Sequence, residues 1–224
     1  GLNVQRKARY LYERQHAQEI PQVRELQLVC AYAFAAAEQN AANGTIVTAP
    51  PCGSCGVLPA VLMYLQGKYH YSDLRMAHAL GVAGIIGNLI RRNASISGAE
   101  CGCQAEIGTA SAMAAGALTS LRGGDPQQIG PAAAMALKNL MGLVCDPVAG
   151  LVEVPCVKRN VVGSVNAVSC ADMALAGVAS RIPVDEVIDC MGEVGRRMPM
   201  ELRETALGGL AVTPTGKAVK ERME

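Results

Sequence analysis

Nine cysteines and three histidines are the residues of this chain best suited to binding metal or to redox chemistry. Cysteine thiolates are soft ligands that suit iron–sulfur clusters, zinc or copper, and a bound site must draw them together from separate loops. Cys52-Gly-Ser-Cys55 is a C-x-x-C, which alone suggests dithiol redox chemistry, half of a metal site, or a buried pair of unremarkable thiols. Cys101-Gly-Cys103 and the pair Cys145 and Cys156 match no common zinc-finger spacing, and only His16, His70 and His78 could complete a mixed site. Cys30, Cys170 and Cys190 stand beside Ala, Val, Met and Ile in helical patterns, a setting in which a free thiol packs as a small hydrophobe.

The elements that must position these thiols read as helices. Periodicity predicts helices over residues 2–17 and 22–42, the second starting beside Pro21, whose missing N–H costs nothing at a first helical turn. A helix resumes near Val57 and runs to about Gln66. Ser72 and Asp73 cap another over 73–92, Asp125 before Pro126 starts one that continues toward Met141, and Ile182-Pro183 opens one ending near Met198. Between them lie Ala94 to Cys103, rich in Ser and Gly, and Gly142 to Asn160, broken by Pro147 and Pro155. Flexible linkers are polar and poor in cysteine, so these two cysteine-bearing segments read as functional loops. Strand patterns are confined to Thr45 to Ala49 and Leu151 to Val157, and the expected fold is an all-α domain.

Composition narrows the class further. Half of the 224 residues are hydrophobic, enough for a substantial core, while Trp is absent and Phe34 is the one phenylalanine. Small side chains and close backbone approach must therefore fill that core. The net charge is +1 and the basic pairs Arg91-Arg92 and Arg196-Arg197 are isolated, which argues against nucleic acid. Ile107 to Leu121 is weakly polar but is bounded by Glu106 and Arg122, short of the roughly 20 apolar residues of a membrane span. Gly1 leads directly into a charged stretch without a secretory pattern and reads as a fragment or processed end. A helix-patterned chain of this size needs no disulfide scaffold, which favours the cytoplasm.

Two segments carry a resemblance. Asn93-Ala-Ser-Ile-Ser-Gly-Ala-Glu-Cys-Gly-Cys103-Gln and Gly142-Leu-Val-Cys145-Asp-Pro-Val-Ala-Gly-Leu-Val-Glu-Val-Pro-Cys156-Val-Lys-Arg-Asn160 resemble the α region of iron–sulfur L-serine dehydratases. The likeness extends through Thr48-Ala-Pro, Gly53 to Pro59 and Arg203 to Ala211, and so from about Gly44 to Pro214. It implies a [4Fe–4S] cluster held by Cys103, Cys145 and Cys156, with Cys52, Cys55 and Cys101 not required. Three thiolates on four irons leave one iron open to substrate, the logic that separates catalytic from closed structural metal sites. The implied reaction removes water from L-serine to give pyruvate and ammonia without pyridoxal phosphate, so Lys158 takes no Schiff-base role. Residues 1–43 then form N-terminal helices and 44–224 a cluster-binding catalytic α domain, continuous with them.

Arg159, Asn160 and Arg203 are candidates for the substrate carboxylate. Asn93, Ser95, Ser97 and Gln104 flank the first ligand segment and can hydrogen-bond cluster sulfur or substrate, and Thr48 and Ser54 can line the pocket. Each has a structural alternative, such as capping or a tight turn. No general base is identifiable among the matched residues, and the three histidines lie outside them. The resemblance implies a β subunit or domain as partner, able to supply the base or part of the pocket, and an oligomer. The family's α region extends beyond Gly1, and some members end in a cysteine that reaches the fourth iron, whereas this chain ends Lys220-Glu-Arg-Met-Glu224. The rival readings are a cysteine desulfidase on the same scaffold and a non-catalytic cluster-carrying subunit.

Overall fold

The structure, a computed structural model, describes residues 1–14, 20–48 and 50–223. Its helices are α1 (Ala8–Glu13), α2 (Pro21–Ala41), α3 (Val57–Tyr69), α4 (Asp73–Asn93), α5 (Gly98–Cys101), α6 (Cys103–Leu121), α7 (Pro126–Lys138), α8 (Cys156–Leu175), α9 (Val184–Arg197) and α10 (Pro214–Glu221). The fold is all-α, as expected. Among the described residues the one β-bridge pairs Cys145 with Arg203.

The organising element is α6. Nearly all of its side chains are buried, and α3, α4, α7, α8 and α9 pack around it. A helix that is apolar on every side belongs at the centre of a molecule, which explains the stretch too short to span a membrane. Among the described residues no helix is long and apolar enough to cross one. Its Ala, Gly, Ser and Thr side chains let neighbouring backbones come close; Ser111 donates to the Gly163 carbonyl at 2.8 Å and Thr119 to that of Ala115 at 2.8 Å, while Thr109 Oγ1 is buried without a hydrogen-bond partner. Around α6 the helix starts follow local chemistry. The Ser72 side chain accepts from the Arg75 N–H at the head of α4, and Asp125 and Gln128 form a capping box at α7.

Four expectations are corrected. Helix 2–17 is confined to Ala8–Glu13 in its described part, because two buried carboxylates take the backbone N–H groups ahead of it. Glu153 accepts from Leu2 (2.9 and 3.1 Å), and Glu38 accepts from Lys7 (2.6 Å) and Ala8 (3.3 Å). Of the strand expected over Thr45 to Ala49, residues 45–48 form none and Ala49 lies outside the described residues; residues 151–155 are a turn that leads into α8, which already includes Cys156 and Val157. The loop expected to last until Asn160 ends at Pro155, which precedes the first residue of α8, so Lys158, Arg159 and Asn160 are helical. Cys170 is buried as expected, but Cys190 lies on the exposed side of α9 and Cys30 is half-buried.

Gly163 marks the closest approach of α8 to α6 and α3, since a Cβ there would meet Ile107 Cγ2 at 2.9 Å and Val57 Cγ2 at 3.0 Å. Gly81 on α4 has nothing within 4 Å of such a carbon. Gly163→Ala is expected to lower the unfolding free energy by about 1–3 kcal/mol through overpacking. Gly81→Ala should raise it by up to about 1 kcal/mol through helix propensity. Urea titration of both variants tests the pair, and equal effects would contradict this account of the packing.

Candidate functional site

Cys103, Cys145 and Cys156 are 2%, 3% and 7% exposed, and three different devices place them. Cys103 is the first residue of α6, released from α5 by Gly102, whose φ of 74° is a left-handed value that favours glycine. Cys156 is the first residue of α8. Both sulfurs therefore sit at helix N-termini, where unpaired N–H groups and the helix dipole favour a thiolate. Cys145 is held by its backbone, its N–H donating to the Leu202 carbonyl and its carbonyl accepting from the Glu204 N–H, each at 2.8 Å.

These groups share one electrostatic environment. The Cys145 thiol is pushed well up, by its hydrogen bond with Cys103, by burial, and by the charges of Cys103, Glu106 and Glu204. Cys156 is pushed up to about 12 by burial and then by Cys103, with Arg159 opposing. Buried thiols so placed stay protonated until positive charge arrives between them, and a coordinating metal supplies that charge and removes the proton. Among the described residues no three Cys, His, Asp or Glu side chains are gathered closely enough for a single metal ion.

Arg159, on the first turn of α8, ties the site together. Its Nη1 donates to the Val144 carbonyl at 2.8 Å and lies 3.5 Å from Cys103 Sγ, while Nη2 pairs with Asp146 at 2.8 Å. Asp146 in turn accepts from the Leu210 N–H at 2.8 Å. Asn160 is equally committed: its Nδ2 donates to the carbonyls of Gly53 (2.9 Å) and Cys156 (3.0 Å), and its Oδ1 accepts from the Gly56 N–H (2.9 Å). This amide fastens the Cys52–Gly56 turn to the head of α8. Gln104 similarly joins α6 to the Gly142 N–H and, at 3.4 Å, to the Met191 carbonyl.

The other candidates divide by commitment. Ser95 donates to Glu100 at 2.5 Å and accepts from the Ser97 N–H at 3.0 Å, shaping the turn that ends in α5. Ser97 is half-buried, and Asn93 and Thr48 are exposed. Ser54 Oγ is buried without a hydrogen-bond partner, and so is Arg203 Nε, although Arg203 Nη1 reaches the Glu100 carbonyl at 3.4 Å. His70 closes α3 and His78 lies on α4, both exposed and apart from the thiols, and His16 lies outside the described residues. Lys158 is exposed. In the C-x-x-C, Cys52 is exposed, whereas Cys55 is buried and its thiol is pushed up to about 11, mainly by burial.

Two carboxylates beside the thiols escaped the sequence reading. A Cβ on Gly53 would meet Glu106 Oε2 at 2.5 Å, and one on Gly98 would meet Cys145 Sγ at 3.1 Å, Glu204 Oε2 at 3.3 Å and Glu106 Cδ at 3.4 Å. The bare faces of two glycines thus border a carboxylate, a second carboxylate and a thiol. Glu204 and Ala206 have φ of 66° and 56°, left-handed values rare outside glycine that mark a tightly determined segment. Glu106 stands three residues after Cys103 and so on the same face of the helix, which is the signal that could have found it.

Burial, then the Glu204 charge, pushes the Glu106 carboxyl up to about 7 from 4.5, against a hydrogen bond from the Gly98 backbone. A carboxyl raised in the folded state leaves the protein most stable below the unfolded pKa, and that stability is lost as pH rises through the folded value. Glu106→Gln should therefore stabilise the cluster-free protein at pH 8 by on the order of 2 kcal/mol and by almost nothing at pH 4. Denaturant unfolding at the two pH values measures this, and an equal gain at both would refute it.

Residues 1–211 match the family model described as serine dehydratase alpha chain. Over 191 residues the chain is 54% identical to a probable L-serine dehydratase, alpha chain, of Bacillus subtilis, covering 85% of this chain and 64% of that protein. The corresponding protein of Latilactobacillus sakei is 53% identical over 188 residues, covering 84% and 90%. The L-serine dehydratase of Streptomyces coelicolor is 44% identical over 214 residues, covering 95% of this chain and 47% of its own length. This chain thus spans from about half to nine-tenths of these relatives. The segments that carry Cys103, Cys145 and Cys156 all fall inside the matched region, and the chain belongs to the serine dehydratase alpha chain family.

Proposed function

We propose that this chain is the cluster-binding α region of an iron–sulfur L-serine dehydratase, a lyase that converts L-serine to pyruvate and ammonia. The observation that carries the reading is the gathering of three buried thiols from α6, α8 and the Cys145 loop beside one arginine and two carboxylates. The donor set fits a [4Fe–4S] cluster. The thiols are soft, they come from separate elements, and they share one electrostatic environment. Cys103, Cys145 and Cys156 would hold the cluster. When bound, it would supply a Lewis-acid iron with an open position for the substrate hydroxyl.

The remaining chemistry falls to the chain. Elimination from serine needs its carboxylate fixed, its α-proton removed and water kept from competing. Both terminal nitrogens of Arg159 are engaged within the protein, so its role is to hold the Cys103 sulfur and Asp146 in place. Arg203 retains a buried, unpartnered Nε and is the arm we assign to the substrate carboxylate. Ser54, with its unpartnered hydroxyl beside Gly53, is the second polar contact, and Thr48, Asn93 and Ser97 lie on the outer side. Asn160 serves by fixing the Gly53 turn. The "alpha chain" in the relatives' names suggests a β partner, and the working enzyme is taken to be a cytoplasmic oligomer containing both regions.

Anaerobic reconstitution with iron and sulfide, in the presence of a co-expressed β chain, tests the reading. Cys103→Ser, Cys145→Ser and Cys156→Ser should each lose the cluster's visible absorption and dehydratase activity, whereas Cys52→Ser should keep both. Activity that survives Cys145→Ser but not Cys52→Ser would replace the cluster reading with dithiol chemistry. Pyruvate should form faster from L-serine than from L-cysteine, and the reverse order would make the enzyme a desulfidase.

A further inference from the structure

Resting on the dehydratase reading, we propose that Glu106 is the base that takes the α-proton from the substrate. The groups around the three thiols allow few alternatives. Asp146 is held by Arg159 and the Leu210 N–H. Glu100 holds Ser95, and Glu153 holds the Leu2 backbone. His70 and His78 lie on the outside of α3 and α4. Glu106 and Glu204 are the carboxylates left bordering the site, Glu106 being the less exposed of the two, and among the described residues no Arg, Lys or His forms an ion pair with Glu106.

Position supports the choice. Glu106 projects from α6 on the side of Cys103, with Oε2 against the bare face of Gly53 and Cδ against that of Gly98. A Cβ on Gly98 would stand within 3.4 Å of Cys145 Sγ, Glu204 Oε2 and Glu106 Cδ, so the three groups converge on the bare face of that glycine. A β-elimination needs a proton acceptor close to the centre that takes the leaving oxygen, and Glu106 and Cys145 meet at one glycine face. Glycine at both positions lets the backbone approach these side chains closely. Glu204 is exposed and its Oε2 borders the same face, which gives the proton a route to water.

The step balances within the substrate. Glu106 takes the proton from Cα, and the electrons of that C–H bond become the Cα=Cβ bond. The Cβ–O bond breaks and its electrons leave with oxygen. That oxygen takes up one proton, from Glu106 directly or through Glu204, and departs as water. The remaining 2-aminoacrylate tautomerises and hydrolyses to pyruvate and ammonia.

The test uses the reconstituted complex with its β chain, comparing wild type with Glu106→Gln and Glu106→Asp. Four quantities are read: iron and sulfide content, L-serine affinity from perturbation of the cluster spectrum, kcat, and the kinetic isotope effect with L-serine deuterated at Cα. Glu106→Gln should retain the cluster and bind serine within about threefold of wild type. Its kcat should fall by about 10²–10⁴, with a larger Cα-deuterium effect, and Glu106→Asp should recover part of the loss. An intact Glu106→Gln complex with kcat near wild type, or an unchanged isotope effect in a slow variant, would overturn the proposal. Loss of cluster in both variants would also overturn it by making Glu106 structural. A wild-type complex that carries cluster but never dehydrates serine would instead defeat the functional reading, before any variant is made.

Discussion

Everything in this molecule depends on enclosing α6. Its surface of Ala, Gly, Ser and Thr buries little area per residue, so it is stable only if neighbours press against it from all sides at short distance. α3, α4, α7, α8 and α9 do so. The enclosure also fixes the start of α6 in space, and Cys103 and Glu106 lie in that first turn. Packing and site geometry are thus one constraint: the helix that must be surrounded also carries Cys103 and Glu106 at its start.

The opposite end of the construction is made of irregular chain. The segment around Cys145 and the one around Arg203 are joined by two backbone hydrogen bonds and by Asp146, which accepts from the Leu210 N–H and is paired with Arg159 of α8. Neither segment has a helix long enough to stabilise itself, so each depends on the other and on the head of α8. Asn160 extends the dependence to the Cys52–Gly56 turn.

Much of this was legible in the chain itself. Capping signals at Ser72 and Asp125 and the proline at 21 marked real helix starts, because those signals act locally. The extent of α6 was not legible, since a helix buried on every side has no polar face to give periodicity. The false strands at residues 45–48 and 151–157 followed from local β-branched residues, when only a partner could have made them strands. At the site, resemblance rather than spacing picked out three of the nine cysteines. The commitments of Arg159 and Asn160 to other parts of the chain depend on tertiary distances that no motif records. Glu106 was missed because a helical i, i+3 relation becomes visible only once Cys103 is known to begin a helix.

The Cys145–Arg203 bridge has a consequence for how the molecule comes apart. The two backbone hydrogen bonds at Cys145 close a loop of more than fifty residues, held at this end by short turns rather than by a packed helix pair. Such a clasp opens at a fraction of the free energy needed to unfold the helical core. The sulfur end therefore has its own, lower threshold. Under heat or denaturant the three thiols would part while most of the helices still stand, so the loss of their arrangement and the loss of fold are separate events.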